Sequence, residues 1–308
     1  MRTMRNKSMQ NKSKYFFCGL LSVFIVGCAG GMDVDYKKSP VEGIIGGNKV
    51  DANSDLGRSV VMVRTKVITV QKDKTISASY NICTGSVVAE NVILTVAHCI
   101  VGAAKDMEIV YTSDLHDEKS RVSPVETVLK HKTYEAINDF DLSTGHVDDD
   151  IALVKIKGIV PSDYKVMTIA EFGSLTEKFD IVSIGYGRNT GALNLPADTD
   201  LGAGVLRAAS VEGTSYVPEF NFFLSNQKSG KGVCYGDSGG PALIQENGEF
   251  KILGLTKAIF ARASDQVNQK FDVDNCKFNG LFMNLQFYQQ WVLESIQSLN
   301  SEPILAKR

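Results

Sequence analysis

An all-β chain of sandwich or barrel type is the fold class this sequence predicts, and three observations carry the prediction. Short runs rich in β-branched and aromatic residues recur at 60–70, 92–97, 151–156, 181–186 and 252–255. Gly, Asn, Asp and Pro separate them, the usual punctuation between strands. No long amphipathic helix interrupts the series.

The elements can be taken in chain order. Arg2, Arg5, Lys7, Lys12 and Lys14 occur with no acid among them, and a largely apolar stretch follows over 15–26. These are the charged and apolar regions of an export signal, spanning 1–27, and the apolar part is too short to cross a bilayer comfortably. The run ends Ile25-Val26-Gly27-Cys28, which resembles the bacterial lipoprotein box. Cys28 would then be the first residue after cleavage and would carry lipid, whereas an ordinary secretory signal would leave it incidental. Ala29, where an Asp would signal retention, favours an outer-membrane destination in the Gram-negative sorting pattern. Residues 28–43 are short and polar, contain Pro40, and read as a tether or propeptide with no core of its own.

The 265 residues from Ile44 to Arg308 suffice for one large or two small cores. Over that span 26 Lys and Arg face 32 Asp and Glu, a net charge of −6. No basic stripe is left to track a phosphate backbone, which argues against nucleic acid as a partner. Near the end, Phe287, Trp291, Ile296 and Leu299 recur at roughly helical spacing and predict a C-terminal helix with Trp291 as a core anchor. Cys18 lies in the signal and Cys28 at its end, leaving Cys83, Cys99, Cys234 and Cys276, which allow three pairings in an exported chain. Their spacings lack the paired Cys-x-x-Cys ligands of zinc sites, and neither metal nor cofactor is expected.

The chemistry concentrates in Cys234-Tyr235-Gly236-Asp237-Ser238-Gly239-Gly240-Pro241. A serine set among glycines can attack a carbonyl while backbone N–H groups face the oxyanion that forms. A serine hydroxyl is a poor nucleophile alone and needs a histidine base oriented by a carboxylate. Thr95-Val96-Ala97-His98-Cys99 follows one apolar run and Asp150-Ile151-Ala152-Leu153 opens another. With Ile44-Ile45-Gly46-Gly47 upstream and Gly185-Tyr186-Gly187 between, these motifs run in one order, and from residue 44 to about 300 the chain resembles the chymotrypsin/trypsin-fold serine proteases.

That resemblance implies a protease domain over 44–308, built as two antiparallel six-stranded β-barrels side by side with a C-terminal helix. The first barrel would supply His98 and Asp150 and the second Ser238, with 161–167 as the crossing. It implies Ser238 as nucleophile, His98 as general base, Asp150 as its orienting carboxylate, and the N–H groups of Gly236 and Ser238 as oxyanion hole. Asp148 and Asp149 read as a solvated loop, and His116, His131 and His146, outside any matching motif, as surface residues. The family pairs Cys83 with Cys99 and Cys234 with Cys276. It also pairs Asp237 with a new N-terminal ammonium at Ile44, released by a cut after Gly43, so the chain resembles a zymogen. Gly43 follows Glu42, so the activating protease is not trypsin-like.

For specificity, Gly232 falls at the pocket base where trypsins carry an aspartate, Gly280 leaves one wall open, and Ile259 narrows the other. Small or medium apolar residues before the cut are implied. Lys257, in the strand where the family has Ser-Trp-Gly, has no explanation at this level. The expected partners are protein or peptide substrates, with a membrane held through the lipid anchor before activation and release to the periplasm or exterior after it. A monomer is expected. The competing reading is a catalytically silent homologue that serves as a surface binding protein, since fold does not fix function.

Overall fold

The structure, a computed structural model, describes residues 44–70, 74–117, 119–135, 142–171, 178–192, 195, 201–260 and 274–300. The export signal, Cys28 and the tether lie outside the described residues. A short strand β1 (Asn48–Lys49) precedes six strands that close into a barrel: β2 (Val60–Val70), β3 (Ile76–Ala89), β4 (Val92–Thr95), β5 (Met107–Tyr111), β6 (Arg121–Lys130) and β7 (Ala152–Ile156), ordered β2-β3-β4-β7-β6-β5. Six more form a second antiparallel barrel: β8 (Lys178–Gly185), β9 (Arg207–Ser215), β10 (Phe222–Asn226), β11 (Pro241–Glu246), β12 (Glu249–Phe260) and β13 (Asn279–Asn284), ordered β9-β10-β13-β12-β11-β8 and closed by β8 pairing with β9. β1 pairs on the outside of β9.

The predicted runs fall on these strands, with differences where side chains turn corners. Strand β2 occupies 60–70 as expected, and its first four residues, Val60 to Val63, are all buried. A strand covered on both faces loses the alternation of a half-exposed one. Its far end and the start of β3 extend beyond the barrel, with Ile68, Val70, Ile76 and Tyr80 exposed. β4 stops at Thr95, and residues 97–99 form a 3₁₀ turn that carries His98.

The expected crossing stretch, 161–167, still lies on the first barrel, and the chain passes to the second just after it. Lys165 N–H donates to Arg58 O and Met167 N–H to Val87 O in the first barrel, and Ala170 N–H then reaches Ile252 O on β12 in the second. One core cluster fills the first barrel and continues into Ile184, Leu243, Leu255 and Met283 of the second. A smaller cluster, with Phe223 and Phe282 stacked at 5.1 Å, fills the rest of the second barrel. Tyr186 pins the barrels together: its fully buried hydroxyl donates to the carbonyls of Val60 and Thr112.

The C-terminal helix α1 (Gln289–Asn300) lies on the first barrel, with Asn91 Nδ2 donating to Asn300 Oδ1 at 2.8 Å. Its buried residues are Val292 and Ser295, and Trp291 is only partly buried, edge-on to His131 at 5.1 Å. Phe287 is 47% exposed in a 3₁₀ turn before the helix. Its apparent place in the apolar stripe therefore came from spacing alone. The disulfides Cys83–Cys99 and Cys234–Cys276 both form, with Cα separations of 6.1 and 5.1 Å. They mark a chain that folds in an oxidising compartment. Among the described residues, no helix is long and apolar enough to cross a membrane.

Candidate active site

His98 sits on the 3₁₀ turn after β4, and Asp150 ends the loop that enters β7, the strand paired with β4. The two are thus set side by side by a ladder in which Thr95 faces Ala152. Asp150 grips the histidine twice: Oδ2 lies 2.7 Å from Nδ1, and Oδ1 accepts the His98 backbone N–H at 2.8 Å. Asp150 is almost fully buried. Burial alone would raise its pKa, but the His98 hydrogen bond and the charges of His98 and Lys257 overcome it and hold the carboxyl at about 2. With Nδ1 engaged, Nε2 is the ring nitrogen left for other partners.

The serine segment is tied to the first barrel through Thr84 of β3. Thr84 N–H donates to Ser238 O at 2.8 Å, and the Thr84 hydroxyl donates to Gly236 O and accepts Tyr186 N–H, both at 3.1 Å. Cys83, one residue earlier, carries the disulfide to Cys99 next to His98. One short stretch of β3 therefore locates both the histidine turn and the serine turn.

The peptide carbonyls of Tyr235 and Asp237 accept from Arg188 N–H and Gly240 N–H, both at 2.8 Å. A planar trans peptide points its N–H opposite to its carbonyl, so the Gly236 and Ser238 N–H groups face away from those donors. Neither has an acceptor among the described residues. Gly236 has φ of +100°, a conformation that an L side chain rarely adopts.

Asp237 is completely buried, its two oxygens accepting Gly187 N–H and Cys234 N–H at 2.7 Å each. Burial drives its pKa up to about 7 against the opposing pull of these hydrogen bonds and of the Arg207 charge. A Cβ on Gly185 or Gly187 would lie 2.2 or 2.4 Å from Asp237 atoms, which accounts for both glycines of Gly-Tyr-Gly. Ile44 is fully buried, Ile45 bridges Gly232, and Gly232 N–H donates to Ile45 O at 3.0 Å. Ile44 has φ of +26°, an outlier for a β-branched residue.

Beside Ser238 opens a cavity of about 480 Å³ lined by Tyr235, Lys257, Ile259, Asn275 and Phe278 among others. Ile259 lines it, while Gly232 and Gly280 do not reach its surface. Between those two glycines lies Gln227: a Cβ on either would meet its side chain, at 2.2 and 2.7 Å. The Gln227 amide is fully buried, donating to Val233 O and Cys276 O and accepting Val233 N–H. No motif pointed to Gln227, because its role comes from a fold that brings two backbone groups of Val233 and the distant carbonyl of Cys276 around one side chain.

Asp148 and Asp149 are not a solvated loop. Asp148 is buried with its Oδ1 2.7 Å from Lys257 Nζ, and the same ammonium reaches Asp150 Oδ2 at 2.9 Å. Asp149 accepts from Tyr288 OH at 2.7 Å and lies 3.6 Å from His131. Asn221 clamps the loop from the second barrel through both backbone groups of Val147. His131 is thereby a packed residue, and His146 remains on the surface. Among the described residues, Cys83, His98 and Cys99 alone cluster closely enough to suggest metal ligands, but both sulfurs are bound in the disulfide.

Two closed six-stranded barrels, with a histidine–carboxylate pair from one and a serine turn from the other, make up the trypsin fold. The family model described as Trypsin matches residues 46–277, and the chain belongs to that family of serine proteases. It is 25% identical to Trypsin Blo t 3 of Blomia tropicalis over 223 residues, covering 68% of this chain and 75% of the relative. It is 21% identical to Trypsin-1 of Astacus astacus over 227 residues, covering 70% and 87% respectively. Trypsin-like proteases act on proteins and peptides.

Proposed function

We propose that this protein is an exported serine endopeptidase that uses His98, Asp150 and Ser238, is activated by a cut before Ile44, and prefers small or medium apolar residues before the scissile bond. The double grip of Asp150 on His98 carries the reading, because it fixes the tautomer in which Nε2 can take a proton. Ser238 Oγ attacks the scissile carbonyl as His98 accepts its proton. The oxyanion meets the Gly236 and Ser238 N–H groups, and His98 returns the proton to the leaving amine. Water repeats the sequence to release the acyl group.

The pocket chemistry supports an apolar preference. Gln227 closes the space behind Gly232 and Gly280 with its amide spent on backbone groups, so the cavity is shallow at that end. No carboxylate lines the cavity, and Asp148 and Asp150 are already taken up by Lys257, so a Lys or Arg side chain would enter without a partner.

Activation follows from Asp237 and Ile44. In this reading a cut after Gly43 frees Ile44, buried with a positive φ, to turn its new ammonium towards Asp237, a carboxylate whose charge is otherwise disfavoured by burial. The lipid anchor at Cys28 extends this reading. The tether would be the only covalent link to the membrane once all four domain cysteines are paired, so the activating cut would also release the enzyme. Fractionation of cells carrying wild-type and Cys28→Ser protein tests the anchor, and identical distributions would refute it.

Labelling with a serine-directed fluorophosphonate tests the enzyme itself. The protein starting at Ile44 should label and hydrolyse peptides, while Ser238→Ala should do neither. A folded, correctly cut wild type that stays unlabelled would point to the silent homologue instead.

A further inference from the structure

Lys257 stands apart in the second barrel. It is a cation with a side chain only 4% exposed, wedged between two buried carboxylates. Its strand presents it deliberately: the β12–β13 ladder pairs Thr256 with Phe282 and then Ala258 with Leu281, leaving Lys257 in a bulge. Bulges re-aim a side chain that a regular strand would send elsewhere. Here the bulge lies directly after Thr256, whose backbone bonds both Gly239 and Gly240 of the serine turn.

We propose that Lys257 is a positioning residue that holds Asp150 Oδ2 against His98 and, with Asp148 as its counter-charge, sets the pH range in which His98 serves as a base. The proposal rests on the triad reading above. Asp150 Oδ2 is shared between His98 Nδ1 at 2.7 Å and Lys257 Nζ at 2.9 Å, so the ammonium fixes the oxygen that orients the ring. An unbalanced cation there would neutralise Asp150 and weaken its support for the imidazolium. Asp148 restores the balance: two carboxylates and one ammonium leave a single negative charge, as a lone aspartate would. Burial pushes Asp148 up while its contact with Lys257 pulls it down. The other groups facing this cluster are His98, Tyr134, and Asp149 with its neighbours Tyr288, His131 and His146. None of them carries a second buried cation against Asp150.

Lys257 and Asp148 therefore act in opposite senses on His98. Without Lys257 the imidazolium is favoured, and the acid limb of the rate profile moves to higher pH. Without Asp148 it is disfavoured, and the limb moves lower. A unit charge about 6 Å away, in a medium of effective dielectric about 20, displaces such a limb by at most about two pH units.

The test compares kcat/KM against pH for Lys257→Met, Asp148→Asn and the double variant, each as the full domain starting at Ile44, with active sites counted by fluorophosphonate. The limb should rise by about one pH unit in Lys257→Met and fall by a smaller amount in Asp148→Asn, with the double variant returning close to wild type. Where Lys257→Met alone fails to fold, Asp148→Asn and the double variant, which leaves no unpaired buried charge, carry the measurement. A lysine that only stabilised the fold would reduce the yield of active sites and leave every limb in place. That outcome overturns the proposal alone, whereas a wild type that does not label overturns the triad reading and the proposal with it.

Discussion

Replacing Asp237 by Asn probes the junction between the serine turn and the buried start of the domain. The carboxylate accepts two backbone N–H groups at 2.7 Å each, from Gly187 and Cys234, inside a pocket with no access to water. An asparagine has one oxygen for two donors, so its amide nitrogen would face an N–H and leave it unpaired, at a cost of about 1–3 kcal/mol. In the cut enzyme the Ile44 ammonium would lose its partner as well, and breaking a buried ion pair costs about 3–5 kcal/mol. At about 3 kcal/mol the ratio of assembled to unassembled oxyanion turns falls roughly a hundredfold. The assay is active-site titration of wild type and Asp237→Asn, both with Ile44 established as the first residue by sequencing. The variant should show far slower labelling at equal protein. A full titre reached at the wild-type rate would refute the pairing of Ile44 with Asp237.

The same residue makes the uncut chain sensitive to pH in a defined direction. Burial raises Asp237 from 3.8 to about 7, so its contribution to stability is complete below the unfolded pKa and is lost as pH rises towards 7, by up to about 4 kcal/mol. Urea unfolding of uncut Ser238→Ala should show this loss between pH 4 and 7, and the added Asp237→Asn change should remove it. In the proposed cut form the dependence would move: pairing with Asp237 would raise the Ile44 ammonium above its unfolded value of about 8, so its contribution would be complete below that pH and lost as pH climbs through the folded value. Activity should therefore decline reversibly in alkaline solution, and a profile flat to pH 11 would count against the pairing. Gln227→Ala should open the space behind Gly232 and Gly280 and raise the kcat/KM ratio for Phe over Ala before the cut by about tenfold. Its loss of three backbone partners should also lower stability by about 2–4 kcal/mol, read by urea unfolding. An unchanged Phe-to-Ala ratio would show that Gln227 does not form the pocket floor.

What was legible in the sequence is what depends on neighbours along the chain. Strand β2 could be bounded because β-branched residues fill 60–70 between turn formers, and the His98, Asp150 and Ser238 segments could be found because each motif is a local backbone conformation with its own residue requirements. The family resemblance supplied the order of the two barrels and the disulfide partners, which spacing alone left open among three pairings. Tertiary structure decided the rest. Lys257 had no explanation until a bulge in β12 carried it across more than a hundred residues of sequence to Asp148 and Asp150, and the run of three aspartates looked solvated because charge patterns do not reveal which carboxylate will meet a cation inside. Gln227 is an ordinary polar residue in sequence, and it becomes the floor behind the pocket only when Val233 and Cys276 close around it. Phe287 shows the converse: its spacing fits a buried stripe, but the helix begins two residues later and leaves it exposed. Motifs record which groups chemistry needs, whereas burial and charge balance are set by distant segments that only the packed barrels bring together.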